Sequence, residues 1–317
     1  MIRGSETLPK LPVIGLSSWE DLRPGTETWE STKKQVCQAL EEYGCFVIES
    51  SQVSLDLHSK IYSSVVDLFD LPKELKQQKP AHQIDHPLGR SSSFCPEHER
   101  VDTENLTTLE GAQSFTKLMW PSGNDRFCES AHEMAKIMKK LDLTIVRMVF
   151  QNYGVEKYYD YYVESMNHVI GCTRYKESQM NNSYLGLLSH TDKSFSTILH
   201  QNGVNGLEIQ TKDGQWILYD PPSHSSFIYL SSDAFKAWSN GRVRSCCHRV
   251  VVDGNKTRIS LASTAFHKGP ALSVPDELVD AEHPLLYKPF NHLEYRRTHI
   301  ELALKRIGYS IEAHCGV

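Results

Sequence analysis

The spacing of hydrophobic residues changes character near the middle of the chain. In the first half, apolar residues recur at intervals of roughly three to four positions, as on the buried stripe of an amphipathic helix. This spacing predicts helices over 29–43, 55–69 and 125–153, and short apolar runs predict strands over 11–16 and 45–49. The first half is therefore predicted to be mainly helical.

The second half of the chain has the pattern of a β-protein. Its short apolar segments are separated by Asn-Gly and Asp-Gly turns, which favour tight connections. The predicted strands lie near 169–175, 183–189, 195–200, 207–210, 215–219, 226–230, 245–252 and 258–266. Many short strands at close spacing favour a barrel or jelly roll over a sheet of βαβ units. A last helical pattern covers 291–307.

The stretch 80–115 follows neither period. Pro, Gly, Ser and His residues dominate it, and its apolar residues form no continuous stripe. Irregular segments of this length in compact domains are usually functional lids or disordered. We therefore predict a lid over 80–115 that helps to shape a binding pocket.

Charge and composition exclude several classes of partner. A chain of 317 residues with a net charge of −5 and a pI near 6.3 has no electrostatic footprint for nucleic acid or an anionic membrane. The N-terminus lacks a signal core, and no apolar run approaches the length of about eighteen residues that a membrane span needs. The 8 cysteines include no C-x-x-C, which favours free thiols in a reducing compartment. These features predict a cytoplasmic protein without nucleic-acid or membrane partners.

The stretch His190-Thr191-Asp192 is the first candidate for metal chemistry. Alternate side chains of an extended backbone share a face, so His190 and Asp192 point towards one spot. An imidazole and a carboxylate are two of the three protein ligands in the facial triad of non-haem Fe(II) sites. About one H-x-D is expected by chance in a chain of this composition. The motif therefore needs a second histidine before it indicates a metal site.

His248, within Cys246-Cys-His-Arg-Val-Val-Val252, is the candidate for that second histidine. On a strand it shares a face with Cys246 and Val250, and a polar imidazole among apolar neighbours needs a partner. A metal would serve as the partner. For any single histidine in a strand, however, a hydrogen-bonded core position is the commoner explanation.

Arg258 and Ser260 lie two positions apart in the next predicted strand. A guanidinium and a hydroxyl on one face can bind a carboxylate through a bidentate fork and an additional hydrogen bond. Taken alone, such a pair is more often an exposed arginine that faces a surface acid. The complete order of H-x-D, a distant His and then R-x-S is much more specific than any of its parts.

This order resembles the plant 2-oxoglutarate/Fe(II)-dependent dioxygenases of the isopenicillin-N-synthase-like superfamily. The similarity extends over nearly the whole chain. The shared stretches are Leu11-Pro-Val-Ile14, Ala39-Leu-Glu-Glu-Tyr-Gly-Cys-Phe46, Phe69-Asp-Leu-Pro72, Leu118-Met-Trp-Pro121, Asn205-Gly-Leu-Glu208 and Gly214-Gln-Trp216. The stretches Lys117-Leu-Met-Trp-Pro121 and His190-Thr-Asp-Lys-Ser194 are similar to those of the AOP-like branch of specialised-metabolism oxygenases.

The resemblance implies a fold that is mainly β with flanking α. Its core is expected to be a distorted double-stranded β-helix (a jelly roll) with N-terminal and C-terminal helices. The implied organisation is an N-terminal region over 1–165 that includes the possible lid, a catalytic core over 166–270 and a C-terminal helical segment over 271–317. Together they would form one catalytic unit.

The resemblance also assigns roles to individual residues. The implied Fe(II) ligands are His190, Asp192 and His248, the implied 2-oxoglutarate contacts are Arg258, Ser260 and Tyr175, and the expected substrate contacts are Thr264 and Phe266. The family's Asn-Tyr-Tyr motif reads Thr173-Arg174-Tyr175 here, so only its second tyrosine carries over. Family halogenases have a small residue in place of Asp192, so its presence favours oxygenation.

The implied activity is oxidation of a small specialised metabolite. 2-Oxoglutarate and O₂ would be converted to succinate and CO₂, with ascorbate as the reductant. The enzyme is expected to be a monomer. Hydroxylation is the expected outcome, and demethylation or desaturation needs only a different substrate pose. The alternatives are a family oxidase that does not use 2-oxoglutarate and a catalytically silent relative that binds a small molecule. A zinc hydrolase is the weakest alternative, because no general base accompanies the three ligands.

Overall fold

The computed structural model describes residues 10–16, 22–76, 98–178 and 182–317. Its strands are β1 Val13–Gly15, β2 Cys45–Glu49, β3 His98–Glu104, β4 Met166–Tyr175, β5 Tyr184–His190, β6 Ser196–Gln201, β7 Leu207–Gln210, β8 Trp216–Leu218, β9 Phe227–Ser231, β10 His248–Val252 and β11 Arg258–His267. Its α-helices are α1 Glu27–Glu42, α2 Leu55–Asp70, α3 Lys73–Lys76, α4 Leu109–Met119, α5 Asp125–Asn152, α6 Tyr159–Ser165, α7 Asp233–Trp238, α8 His292–Leu304 and α9 Ile311–Cys315.

The strands form two sheets. The larger sheet has the order β1-β2-β9-β6-β11-β4-β3, and the smaller sheet has the order β5-β10-β7-β8. Apart from the parallel pair β1 and β2, neighbouring strands run antiparallel. From β5 to β11 the chain passes back and forth between the sheets, which is the winding of a double-stranded β-helix. The predicted jelly-roll core is confirmed.

Two hydrophobic cores lie on the two sides of the larger sheet. The first core joins this sheet to α1, α2 and α5, and it includes the stripe of α5 that contains Met138 and Ile145. The second core lies between the sheets and joins side chains such as Tyr175 and Val250. The helices therefore hold the outer side of the larger sheet, while its other side faces the smaller sheet.

The long helices begin where the sequence supplies a cap. The side chains of Thr26, Ser54 and Asn124 each accept a hydrogen bond from the backbone N–H three residues further on. Such caps satisfy donors that have no partner within the helix. The predicted helices over 29–43, 55–69 and 125–153 are confirmed as α1, α2 and α5.

The prediction of irregular structure over 80–115 is wrong for its second part. Residues 80–97 lie outside the described ranges, but β3 and α4 occupy much of the rest. β3 lacks the usual alternation because it buries polar side chains, including Arg100 and Asp102. The role of this stretch in substrate selection stays a prediction.

Two further predictions concern the membrane and the thiols. Within the described ranges, no helix combines the length and the apolar character that would let it cross a membrane. The cysteines in the same ranges carry free thiols, as their spacing predicted.

Candidate active site

The smaller sheet brings the two candidate histidine ligands together. His190 ends β5, His248 begins β10, and the two residues are direct partners in the antiparallel register. Asp192 follows two residues after β5. Its Oδ1 lies 3.5 Å from Nε2 of His190 and 3.9 Å from Nε2 of His248. The predicted triad is therefore assembled at one end of the smaller sheet.

Backbone carbonyls orient both imidazoles. Nδ1 of His190 lies 2.7 Å from the carbonyl oxygen of Leu188, and Nδ1 of His248 lies 3.1 Å from that of Cys246. A carbonyl only accepts, so Nδ1 is the donor in both rings. Nε2 is then the nitrogen left available on the side of Asp192, as a metal-binding histidine requires.

Asp192 carries a negative charge at this point. Burial alone would raise the pKa of its carboxyl group, but His248 and His190 outweigh burial and hold this pKa well below its ordinary value. Thr197 donates a hydrogen bond of 2.7 Å to the other carboxylate oxygen, Oδ2. Oδ1 therefore remains directed at the two rings.

This set of donors fits Fe(II). The ligand atoms of His190, Asp192 and His248 all lie within 4.8 Å of one another. Two imidazole nitrogens and one carboxylate on one side of a metal leave its other positions open, which is the arrangement of non-haem Fe(II) oxygenases. Within the described part of the chain, no other group of three His, Cys, Asp or Glu residues is close enough to hold a metal ion.

Asp233, at the start of α7, braces the segments that carry the triad. Its Oδ2 accepts from Nζ of Lys193 at 2.5 Å and from the hydroxyl of Tyr295 at 2.7 Å. Its Oδ1 accepts from Ser245 at 2.6 Å, and its backbone N–H donates to the carbonyl of Asp192 at 3.0 Å. Sequence reasoning missed this brace, because its parts meet only through the fold.

Arg258 forms the second part of the site. Its side chain is 0% exposed, with Nη2 lying 3.0 Å from Oε1 of Gln201 and Nη1 lying 3.5 Å from the hydroxyl of Ser260. Its guanidinium carbon lies 5.4 Å from the centre of the Tyr175 ring. We call Arg258, Ser260 and Gln201 the Arg258 pocket; the sequence predicted the first two members but not Gln201.

The charge of Arg258 has no protein counter-ion within the described residues. Nε of Arg258 makes no hydrogen bond there, and no carboxylate lies within ion-pair distance of the side chain. Burial lowers the pKa of this guanidinium below its ordinary value. A buried cation without an anion is costly, so the pocket fits a ligand that brings its own carboxylate.

Strand pairing places these groups on one continuous surface of the larger sheet. Ser260 pairs with Gln201 on one side and with Thr173 on the other, and Thr173 pairs with Arg100. We call this surface, which faces the smaller sheet, the interior face. Its members include Arg100, Asp102, Gly171, Thr173, Tyr175, Thr197, Gln201, Arg258, Ser260, Ala262, Thr264 and Phe266.

The two expected substrate residues lie at the other end of β11 from Arg258. Thr264 pairs with Thr197, the residue that holds Asp192, so it belongs to the metal end of the interior face. Phe266 is 3% exposed and lies under the guanidinium of Arg296 in α8, at 4.4 Å. Thr264 is thus near the triad, whereas Phe266 is covered by a helix.

Comparison with known families identifies the class of protein. Residues 147–267 match the 2OG-Fe(II) oxygenase superfamily, and residues 11–118 match the family described as non-haem dioxygenase in morphine synthesis, N-terminal. The chain is 35% identical over 293 residues to "Probable 2-oxoglutarate-dependent dioxygenase AOP1" of Arabidopsis thaliana, covering 90% of this chain and 95% of the relative. It is 27% identical over 408 residues to "2-oxoglutarate-dependent dioxygenase AOP3" of the same plant, covering 98% of each.

Solved structures show the same fold. The rice dioxygenase for auxin oxidation superposes with a TM-score of 0.78 at 25% identity, covering 97% of this chain and 100% of that one. The Arabidopsis thaliana dioxygenase for auxin oxidation 1, in its complex with 2-oxoglutarate, superposes with a TM-score of 0.72 at 26% identity, covering 87% and 100%.

The chain belongs to the 2OG-Fe(II) oxygenase superfamily, within the plant AOP-like 2-oxoglutarate-dependent dioxygenases. It is an oxidoreductase that uses Fe(II) and 2-oxoglutarate and acts on a small molecule.

Proposed function

We propose that His190, Asp192 and His248 hold the Fe(II) and that the Arg258 pocket holds the distal carboxylate of 2-oxoglutarate. The observation that carries this assignment is the buried guanidinium of Arg258, which lacks a carboxylate partner within the described residues and shares the interior face with the metal end. When bound, Fe(II) supplies the activation of O₂ that oxidises the substrate and converts 2-oxoglutarate to succinate and CO₂.

The protein's contribution is orientation. Arg258 and Gln201 would fix one end of 2-oxoglutarate, and the small residue Ala262 lies between Ser260 and Thr264 on the same face of β11. Tyr175, whose ring lies 5.4 Å from the guanidinium carbon of Arg258, would supply a further contact to the cosubstrate. The cosubstrate would therefore lie along β11, with its other end directed at the triad.

We further propose that the usual outcome is hydroxylation of a small specialised metabolite. The substrate gains one oxygen atom of O₂ and succinate gains the other, so the reaction is balanced by the loss of CO₂. Demethylation and desaturation would follow from a different position of the reacting carbon. Thr264 lies near the metal end and would contact the substrate, while Phe266 would act through its packing against α8.

The monomeric state stays a prediction from the sequence, which size-exclusion chromatography with light scattering would test. The cytoplasmic location and the use of ascorbate stay predictions from the sequence.

The proposed function is tested by succinate release from the purified protein with a plant metabolite extract. Release should require both Fe(II) and 2-oxoglutarate, and it should rise above the background measured without extract. A His248→Ala protein of unchanged circular dichroism is the matched control. Succinate release that continues without Fe(II), or at the wild-type rate in His248→Ala, would contradict the assignment.

A further inference from the structure

Arg100 is the second arginine on the interior face, and the proposed reaction does not use it. Its Nε donates to Oδ1 of Asp102 at 2.8 Å, and the two side chains are 13% and 6% exposed. Nη1 makes a long contact of 3.5 Å with the hydroxyl of Thr173. Among the residues that the structure describes, Nη2 donates to no oxygen. We call Arg100 and Asp102 the Arg100 pair.

A glycine makes room for this guanidinium. A Cβ added at Gly171 would collide with Nη2 of Arg100 and would lie 2.7 Å from Oδ1 of Asp102. Gly171 pairs with Asp102 on β3 and with Ala262 on β11. The fork of Arg100 therefore lies across β4 and extends from the edge of the sheet towards the strand that carries the Arg258 pocket.

The Arg100 pair borders the space beside the proposed cosubstrate. Arg100 lies level with Ser260, since both pair with Thr173, and the two strands are separated by two inter-strand spacings of about 4.8 Å each. Burial alone would lower the pKa of Arg100, but the neighbouring Asp102, through its charge and its hydrogen bond, raises this pKa above its ordinary value.

The geometry of the pair indicates what it can bind. Asp102 occupies the Nε position and fixes the plane of the guanidinium, while Nη2 stays unused by protein oxygens in the described ranges. An arginine held in this way presents parallel N–H groups, which match the two oxygens of a carboxylate. A buried ion pair contributes little to stability compared with apolar packing, so stability alone does not account for its presence beside the reaction space.

We propose that Arg100, held by Asp102 across Gly171, binds a carboxylate of the substrate, so that the enzyme selects carboxylic acids among small molecules. This inference rests on the proposed function, because it assumes that 2-oxoglutarate occupies the Arg258 pocket.

The test measures ligand binding rather than turnover. The protein is loaded with Mn(II) in place of Fe(II) and with 2-oxoglutarate, and its melting temperature is followed with phenylacetate, cinnamate, indole-3-acetate and octanoate. The methyl ester of each acid is the paired probe. We expect at least one acid to stabilise the wild type, with its ester bound about tenfold or more weakly.

Two variants isolate the role of the guanidinium. Arg100→Gln should bring the affinity for the acid to the level of the ester while leaving the affinity for 2-oxoglutarate unchanged. Gly171→Ala should displace the flexible end of Arg100 without removing its charge, and it should reduce the acid preference in the same direction. Arg147→Gln, which breaks an ion pair with Glu156 on the surface of α5, is the matched control and should change neither affinity.

Three results would overturn the inference: esters bound as tightly as acids, an acid preference that persists in Arg100→Gln, or no acid of the panel raising the melting temperature. Failure of 2-oxoglutarate itself to stabilise the Mn(II)-loaded wild type is a different result. It would overturn the proposed function, and the inference with it.

Discussion

The two arginines of the interior face have opposite surroundings. Arg258 meets an amide, a hydroxyl and a tyrosine ring but no carboxylate within the described ranges, whereas Arg100 is paired with Asp102 at 2.8 Å. The desolvation of an unpaired buried cation is compensated only when an anion binds. Arg258 therefore suits the cosubstrate carboxylate, which binds in every reaction cycle. Arg100 already has Asp102 as its counter-ion, so it is stable before a substrate carboxylate binds.

The largest loss of turnover is expected from removing a metal ligand, because the ligands of both arginines react only at the metal. His248→Ala removes one of three ligands from a set whose members lie within 4.8 Å of one another. Since losing an outer contact of a metal ligand already costs about 10–100-fold in affinity or activity, losing the ligand should reduce turnover by more than about a hundredfold. Fe(II)-dependent succinate release measures this, with circular dichroism as the control for folding. Near-normal activity would mean that His248 is not a ligand.

Replacing Arg258 should weaken the binding of 2-oxoglutarate, the ligand that we assign to this arginine and not to Arg100. Truncating one side of a buried charged contact costs about 2–5 kcal/mol, so Arg258→Met should raise the 2-oxoglutarate concentration required for succinate release by roughly 30-fold to several thousand-fold. Arg258→Lys should recover only part of the affinity, because an ammonium cannot form the bidentate fork. Full recovery in Arg258→Lys would show that charge alone, and not the fork, holds the cosubstrate.

Thr197→Val leaves both arginines intact and should weaken metal binding by the triad. The variant removes the 2.7 Å hydrogen bond to Oδ2 of Asp192 and keeps the size of the side chain. Contacts of this kind to a ligating carboxylate change metal affinity by about 10–100-fold. We expect a loss of Mn(II) affinity in that range by calorimetry, with 2-oxoglutarate affinity unchanged once the metal is saturating. An unchanged Mn(II) affinity would show that this hydrogen bond does not orient Asp192.

Ser260→Ala should give the smallest effect. The hydroxyl lies 3.5 Å from Nη1 of Arg258, which is too far for a strong hydrogen bond within the protein. Its main contribution is therefore expected to be a hydrogen bond to 2-oxoglutarate. One neutral hydrogen bond contributes about 0.5–1.5 kcal/mol, so the 2-oxoglutarate requirement should rise by roughly 2- to 12-fold. A change as large as that of Arg258→Met would mean that Ser260, and not Arg258, is the main anchor.

The triad and the Arg258 pocket could largely be predicted from the sequence, whereas the Arg100 pair could not. The triad could be predicted because His190 and Asp192 share one strand alternation, and because the distant His248 and the R-x-S pair complete a pattern that resembles a known family. Strand alternation also placed Arg258 and Ser260 on one face. Their contact with Gln201 could not be predicted, since it arises from the pairing of β6 with β11 and joins residues that are 57 positions apart.

Arg100 was missed for a different physical reason. It lies on an edge strand that buries charged side chains, so the apolar alternation that identifies strands is absent from β3. Asp233 was missed because its partners come from three separate segments of the chain. In both cases the contact depends on tertiary packing, which no local pattern records.

The central claim is that the two arginines divide the recognition of two ligands, and 2-oxoglutarate affinity tests it most directly. The dissociation constant for 2-oxoglutarate would be measured by calorimetry on Mn(II)-loaded wild type, Arg258→Met and Arg100→Gln. We expect a loss of roughly 30-fold or more in Arg258→Met and no change in Arg100→Gln. Unchanged affinity in Arg258→Met, or an equal loss in both variants, would contradict the claim.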